Sequence, residues 1–445
     1  MAQFKSKAGV IAATVGSAVG VGTVWRFPAE AQAGGGAAFL LIYTAFVFIL
    51  GVPLMLGELA VGRAGRSDAI GAFRALSPRT GWWGVGLASI IVTFLIMIFY
   101  MVVGGWMLEY FIESIDGGLY GGIPEGNHDN FFNGRMEEYV ISGYSTLIYA
   151  VLFILINIIV LLRGVQKGIE RMSNIMMPML FVLLVLFCVV SLSLPNAGEG
   201  VAYFLNPDFS KITAETCLSA LGQALFSLSL GMGVLITYAG YYPADARLTR
   251  TSVTVVSMTL VVAILMGLII FPAVTSFGLT DHSLGGTALI FVTLPEIFAS
   301  MPGCHVWSAL FFLLLFMAAL TSTISLGEVM VRFVQDRFHK SRNAAVWIVL
   351  GPMCILSAVC SLSFGELEWV KVFGHSMFDY LDMISNEYML PLIAFGTCLY
   401  VGWFAPKGLM RNQLSNNNAL RTPAATAIIF ILRYLAPLAI IAIMI

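Results

Sequence analysis

The chain has 445 residues, 59% of them hydrophobic and only 11% charged, with a mean hydropathy of +0.91. Soluble domains carry about a quarter charged residues, so most of this surface must meet lipid or other apolar helices, and a polytopic membrane protein follows. A formal charge of −1 from 23 basic and 24 acidic residues excludes the basic surface that a nucleic-acid partner requires. Six cysteines (Cys188, Cys217, Cys304, Cys354, Cys360, Cys398) stand singly, mostly inside apolar runs, and read as core residues instead of a disulfide framework. The five histidines (His128, His282, His305, His339, His375) have no paired ligand spacing, which argues against a metalloenzyme.

A hydrocarbon core of roughly 30 Å needs about 20 helical residues. Eleven segments meet that length, at 8–27, 38–61, 85–113, 144–163, 172–194, 216–240, 252–275, 304–336, 344–363, 373–402 and 422–444. The first is too long for a cleavable signal and carries chemistry of its own. It holds Gly16-Ser17-Ala18-Val19-Gly20-Val21-Gly22-Thr23. The second contains Glu58, which reads as an acceptor for N–H groups of an unwound helix, with a proton-carrying role left open. The sixth holds Ser227-Leu228-Ser229-Leu230-Gly231-Met232-Gly233. Glycines in one membrane helix also serve close packing. Two glycine-rich interruptions in corresponding spans of two five-span units instead fit an inverted-repeat transporter with its site at the repeat interface. Freed N–H groups there suit a carboxylate and freed carbonyls suit sodium.

The eighth span supplies Ala318-Ala319-Leu320-Thr321-Ser322-Thr323-Ile324-Ser325. A lone Ser or Thr usually bonds back to its own helix. Adjacent hydroxyls beside small residues also offer oxygen ligands to a hard cation such as sodium, which makes Thr321 and Ser322 candidate ligands. The repeats are expected at 8–194 and 216–402, with 422–444 as an additional span.

With the N-terminus inside, 18 basic residues fall in or beside the cytoplasm, from Lys5 and Lys7 through Arg63, Arg247 and Arg332 to Lys407 and Arg421, as the positive-inside rule requires. The acidic, Gly-rich loop from Asp116 to Tyr139 and the loop around Glu199 and Asp208 then lie outside. Eleven spans put the C-terminus outside, at Ile445. A multi-pass plasma-membrane protein is expected.

Taken together, Gly16 to Pro28 (GSAVGVGTVWRFP), Gly34 to Ala37, Pro53 to Arg63, the SLSLGMG break, Gly267 to Pro272 and AALTSTIS resemble the neurotransmitter:sodium symporters, especially their eleven-span bacterial amino-acid members. The resemblance implies an all-α LeuT-type fold in which two inverted five-helix repeats plus one helix move an amino acid with sodium by alternating access. It implies a second sodium site formed by the carbonyls of Gly16, Val19 and Ala318 and the hydroxyls of Thr321 and Ser322. A first site would use the Ala18 carbonyl, Ser227 and the substrate carboxylate. There the chain departs from the family, since Thr23 and Thr259 replace carboxamide or carboxylate ligands. Either chloride binds near Tyr43, Gln223 and Ser227, with Thr259 and Ala263 supplying no carboxylate, or one sodium site is missing.

The same resemblance implies a substrate pocket lined by Ser17, Ala18, Gly20 and Gly22 from the first break and by Ile96 and Tyr100 from span three. Phe226, Ser227, Ser229 and Met232 would join from span six, with Ser322, Ser325 and Leu326 from span eight. No acidic side chain receives the amine, and Ile96, Phe226, Met232 and Leu326 suit a neutral hydrophobic or aromatic side chain. Arg26 and Asp382 are expected to form the extracellular gate, with Asp379 as the alternative acid. Asp336 is expected to be the cytoplasmic gate acid, with Lys5 or Lys7 as its partner. A proton-coupled or sodium-independent transporter of this fold, a non-transporting receptor and an intramembrane enzyme are the competing readings.

Overall fold

The computed structural model describes residues 3–123, 128–141, 144–278 and 287–444. His282, Ile445 and residues 124–127 of the acidic loop lie outside the described residues. The described residues are predominantly helical and contain no strand, only the isolated bridges Gly36–Pro207 and Val372–His375.

Nine helices are long and apolar enough to cross a membrane among the described residues. They are Ala37–Gly65 (span 2), Trp83–Asp116 (span 3), Tyr144–Leu162 (span 4), Val165–Leu192 (span 5), Leu248–Ser276 (span 7), Cys304–Phe338 (span 8), Arg342–Leu362 (span 9), Met377–Phe404 (span 10) and Ala425–Ala442 (span 11). Spans 1 and 6 are discontinuous. Span 1 is Lys7–Ala18 followed by Gly22–Ala33, bent by 51°. Span 6 is Ala214–Ser227 followed, after six non-helical residues, by Val234–Gly240.

Helix ends follow local chemistry. The Ser6 side chain accepts the Gly9 N–H at the start of span 1, Thr213 and Thr216 form a reciprocal cap at the start of span 6, and Ser341 caps span 9. Such caps are worth about 1 kcal/mol each. Two boundaries differ from expectation. Span 5 begins at Val165, because Val165–Glu170 forms a π-helical turn whose Gln166, Lys167 and Glu170 hide it from a hydropathy reading. Span 10 begins at Met377, because Phe373 (φ 51°) and Gly374 (φ 89°) reverse the chain before it.

Span 3 lies along span 8 in the most extensive helix pairing of the fold. Span 8 is enclosed, with 78% of its apolar window buried, whereas the figure for span 11 is 28%. Outward-facing Val182, Ile355 and Leu438 are 67%, 70% and 65% exposed, as lipid-facing side chains must be. The broken spans are therefore shielded from lipid, which is where interrupted backbone can be tolerated.

Candidate substrate and ion site

Both breaks converge on one small, tightly packed cavity of about 20 Å³. Its wall contains Ser17, Ala18, Gly20 and Gly22 from span 1, Ile96 and Tyr100 from span 3, Phe226, Ser227, Ser229 and Met232 from span 6, and Ser322, Ser325 and Leu326 from span 8. All thirteen candidate lining residues are thus gathered here. Val234, the first residue of the second half of span 6, also lines the wall and was not foreseen. Its place as the apolar residue directly after the glycine break is the signal that would have found it.

The break in span 6 is held open by left-handed backbone at Ser229 (φ 52°), Gly231 (φ 81°) and Gly233 (φ 69°). Its freed groups have defined partners. Glu58 Oε1 accepts the Gly231 N–H at 2.7 Å, and Thr93 donates its hydroxyl to the Met232 carbonyl at 2.5 Å. Ser229 donates to the Ser17 carbonyl at 2.7 Å, so the two breaks are tied directly together. In span 1, Val21 N–H is donated to the Tyr100 hydroxyl at 3.1 Å.

Close approach dictates glycine at two of these positions. A Cβ on Gly20 would overlap Ser322 Oγ and lie 3.0 Å from the Tyr100 hydroxyl, and one on Gly22 would overlap the Phe226 ring. Phe226 and Tyr100 stand 6.5 Å apart between ring centroids and close the cavity from a wider cleft. That cleft, about 360 Å³, is lined by Trp25, Arg26, Phe378, Asp379 and Asp382 among others.

The cation-ligand candidates are likewise brought together in part. Gly16 packs against Thr321, since a Cβ on Gly16 would sit 3.4 Å from the Thr321 Cβ. Val19 ends the first half of span 1 with non-helical backbone. The Thr321 hydroxyl donates to the carbonyls of Met317 and Ala318 at 3.1 and 3.0 Å, so its oxygen lone pairs remain available. Ser322 Oγ is buried beside the Tyr100 hydroxyl and completes no well-aligned hydrogen bond among the described residues, which leaves its lone pairs open to a ligand. This donor set suits sodium.

Around the other candidate ion position, Thr23 donates to the Ala18 carbonyl at 3.4 Å, and the hydroxyls of Tyr43 and Ser227 lie 2.9 Å apart. Gln223 donates its amide to the Gly22 carbonyl at 2.8 Å and leaves Oε1 unpartnered. Thr259 bonds back to Val255 of its own helix at 3.0 Å.

Neither expected gate pair is formed among the described residues. Arg26 pairs with Glu30, one turn along its own helix, at 3.2 Å, while Asp382 accepts from Asn386 at 2.6 Å. Asp379 accepts from Ser376. Neither acid forms an ion pair with Arg26, although all three line the cleft. At the opposite face, Asp336 pairs with Arg332 at 2.8 Å and accepts the Asp68 N–H at 2.9 Å. Lys5 and Lys7 do not reach it. Glu170 accepts the backbone N–H groups of Lys5 and Ser6, and Lys7 extends to Asp245 at 2.9 Å. The bond from Lys7 holds the Asp245 carboxyl below its ordinary range. Burial pushes the loop residue Asp68 up.

A family model, described as the sodium:neurotransmitter symporter family, matches residues 1–123 and 138–445. This chain belongs to that family. It is accordingly a sodium-dependent, multi-pass membrane symporter with a small-molecule substrate, not an enzyme. The sodium-dependent transporter YhdH of Bacillus subtilis is 36% identical to this symporter over 99% of its chain and 96% of the relative. A sodium-dependent transporter of Haemophilus influenzae is 33% identical over 93% and 91%. The crystal structure of MhsT in complex with L-phenylalanine superposes with a TM-score of 0.91 at 38% identity, covering 100% of this symporter and 99% of MhsT. The fold is thus of the LeuT type, with spans 1 and 6 broken.

Proposed function

We propose that this symporter imports a neutral hydrophobic or aromatic α-amino acid with sodium, by alternating access between two inverted repeats at 8–194 and 216–402, with 422–444 added outside them. The carrying observation is the cavity itself, where Ile96, Phe226, Met232, Val234 and Leu326 form an apolar wall and no carboxylate or cationic side chain intrudes. An α-amino and an α-carboxyl group would be met by break backbone and hydroxyls, and a hydrophobic side chain by the wall. L-Phenylalanine in the MhsT complex supports this class of substrate.

Substrate would enter through the cleft beneath Arg26 and Asp382, and Phe226 would close over it. Sodium held by Gly16, Val19, Ala318, Thr321 and Ser322 would bridge spans 1 and 8 and so favour one arrangement of the two repeats. The N-terminal face, which carries most of the lysines and arginines, is the cytoplasmic one on this reading. Uptake of radiolabelled amino acids into proteoliposomes tests it, with accumulation expected only under an inward sodium gradient. Equal accumulation without sodium would overturn it.

Specificity follows from the wall. Leu326→Ala or Met232→Ala is expected to shift preference toward bulkier side chains, since one methylene is worth about 1–3 kcal/mol of discrimination. Competition among leucine, methionine, phenylalanine and tryptophan checks this, and an unchanged rank order removes both residues from the side-chain subsite.

Ion stoichiometry is expected to be one strongly bound sodium. Thr23 reaches only the Ala18 carbonyl and Thr259 is spent on its own helix, leaving the Ala18 carbonyl, Ser227 and the substrate carboxylate as a sparse shell. Sodium activation should show a Hill coefficient of about one, the behaviour of a single coupled site, and Thr23→Asn with Thr259→Asn should steepen the curve. Pronounced cooperativity in the unaltered protein would mean that the threonines are competent ligands. Chloride at Tyr43, Gln223 and Ser227 is the alternative partner for that region, and replacement of chloride by gluconate during uptake separates the two.

A further inference from the structure

Away from the site, spans 7 and 11 start side by side and leave a groove of about 540 Å³ between them. Arg247 and Arg250 line it from the start of span 7, and Arg421 from the segment before span 11. All three arginines are exposed, and none forms an ion pair among the described residues. The acid nearest in sequence, Asp245, is engaged by Lys7. The rest of the lining includes apolar Val253, Leu414 and Ile428.

The groove is a fixed feature of the fold. Its floor is the short helix Leu409–Leu414, which packs against both spans. Arg63, at the end of span 2, anchors that floor through Gln413, the Asn416 side chain at 3.0 Å and the Ala246 carbonyl at 2.8 Å.

The depth of the groove in the membrane follows from helix length. Span 7 has 29 residues and so runs about 44 Å at about 1.5 Å per residue, well beyond a hydrocarbon core of roughly 30 Å. A first turn carrying two exposed arginines is the end that suits the headgroup layer, with Val253 exposed a turn further in at the depth of acyl chains. Cations at headgroup depth above an apolar cleft complement an anionic amphiphile, because each guanidinium can grip phosphate oxygens through paired N–H groups. A small free anion would leave the apolar half of the cleft uncovered.

We propose that this groove is a binding site for an anionic phospholipid of the leaflet on the N-terminal face, with Arg247, Arg250 and Arg421 around its phosphate and its acyl chains between spans 7 and 11. The proposal is independent of the substrate and ion assignments.

The full-length protein, purified and equilibrated with mixed micelles containing equal phosphatidylglycerol and phosphatidylcholine, tests this by native mass spectrometry of the retained lipid. Retention of phosphatidylglycerol is expected to exceed that of phosphatidylcholine by about tenfold. The triple variant Arg247→Gln, Arg250→Gln, Arg421→Gln should lose that preference, and the triple lysine variant should keep most of it. Arg79→Gln with Lys340→Gln removes two exposed charges from the same face and should leave the preference intact. If the triple glutamine variant does not yield folded protein, Arg250→Gln and Arg421→Gln singly should each weaken the preference. Undiminished preference in the glutamine variants, or equal loss in the Arg79 and Lys340 control, overturns the site. Displacement of the lipid by millimolar glycerol phosphate or inorganic phosphate would reassign the groove to a free anion and overturn the lipid assignment.

Discussion

Thr321→Ala and Ser322→Ala are each expected to abolish sodium-dependent substrate binding, weakening sodium by roughly 100-fold or more, which is about 2.7 kcal/mol. The hydrogen of Thr321 is committed to the carbonyls of Met317 and Ala318, so the oxygen faces the break as an acceptor. Ser322 Oγ is a buried oxygen beside the Tyr100 hydroxyl that completes no well-aligned hydrogen bond among the described residues. Removing either leaves a hard cation short of one oxygen, and the apolar walls offer no replacement. Thr321→Ser keeps an oxygen in place and should keep most of the affinity. Substrate binding titrated against sodium reads the effect, and substrate affinity at low sodium should fall in proportion because the coupling is reciprocal. Unchanged sodium dependence in both alanine variants would exclude spans 1 and 8 as the cation site.

Glu58→Ala is expected to be nearly as damaging, although Glu58 lies in span 2 and does not line the substrate cavity. Its carboxylate accepts the Gly231 N–H in the middle of the span 6 break. Without it a buried donor in a low-dielectric setting loses its partner, which costs about 1–3 kcal/mol, and the left-handed turn at Gly231 loses its anchor. Substrate affinity should fall by about tenfold to 100-fold. Glu58→Gln restores an acceptor of the same reach and should recover binding and uptake, with sodium dependence and pH profile unchanged. If the glutamine variant fails as badly as the alanine one while the unaltered protein responds steeply to pH, Glu58 carries a proton and the acceptor role is secondary.

Hydropathy revealed the nine continuous membrane spans because each is a largely apolar run near the length of a bilayer. The glycine-rich breaks were legible because only glycine and small hydroxyl residues permit two backbones and a phenol to meet as closely as Gly20, Ser322 and Tyr100 do. Short helices such as Ala69–Leu76, Ala197–Leu205 and Leu294–Ala299 were illegible, since a window about 20 residues wide averages them away. The start of span 5 was hidden by polar residues in a π-helical turn, and the start of span 10 by apolar residues in a reversal. Gate pairing failed for a shared reason. Arg26 and Arg332 each have a carboxylate four residues further along the same helix, Glu30 and Asp336, and a partner at that spacing is always within reach. A distant acid must outcompete it, and the spacing of residues in a chain cannot rank the two. Similarly, Lys7 was drawn to Asp245 because Glu170 fixes the backbone just before it.

These same-helix pairs bear on how the protein moves. An arginine that carries its own carboxylate travels as a nearly neutral unit with its helix, so rotating that helix toward or away from Asp382 does not strip a bare cation of its hydration. On the proposed transport cycle, each mouth of the pathway would then open or shut without the desolvation penalty that an isolated charge would impose. On the proposed alternating-access reading, the moving helix would exchange a shared ion pair for a solitary one, a small difference that would leave the inward and outward forms close in energy and let the bound ion and solute decide between them.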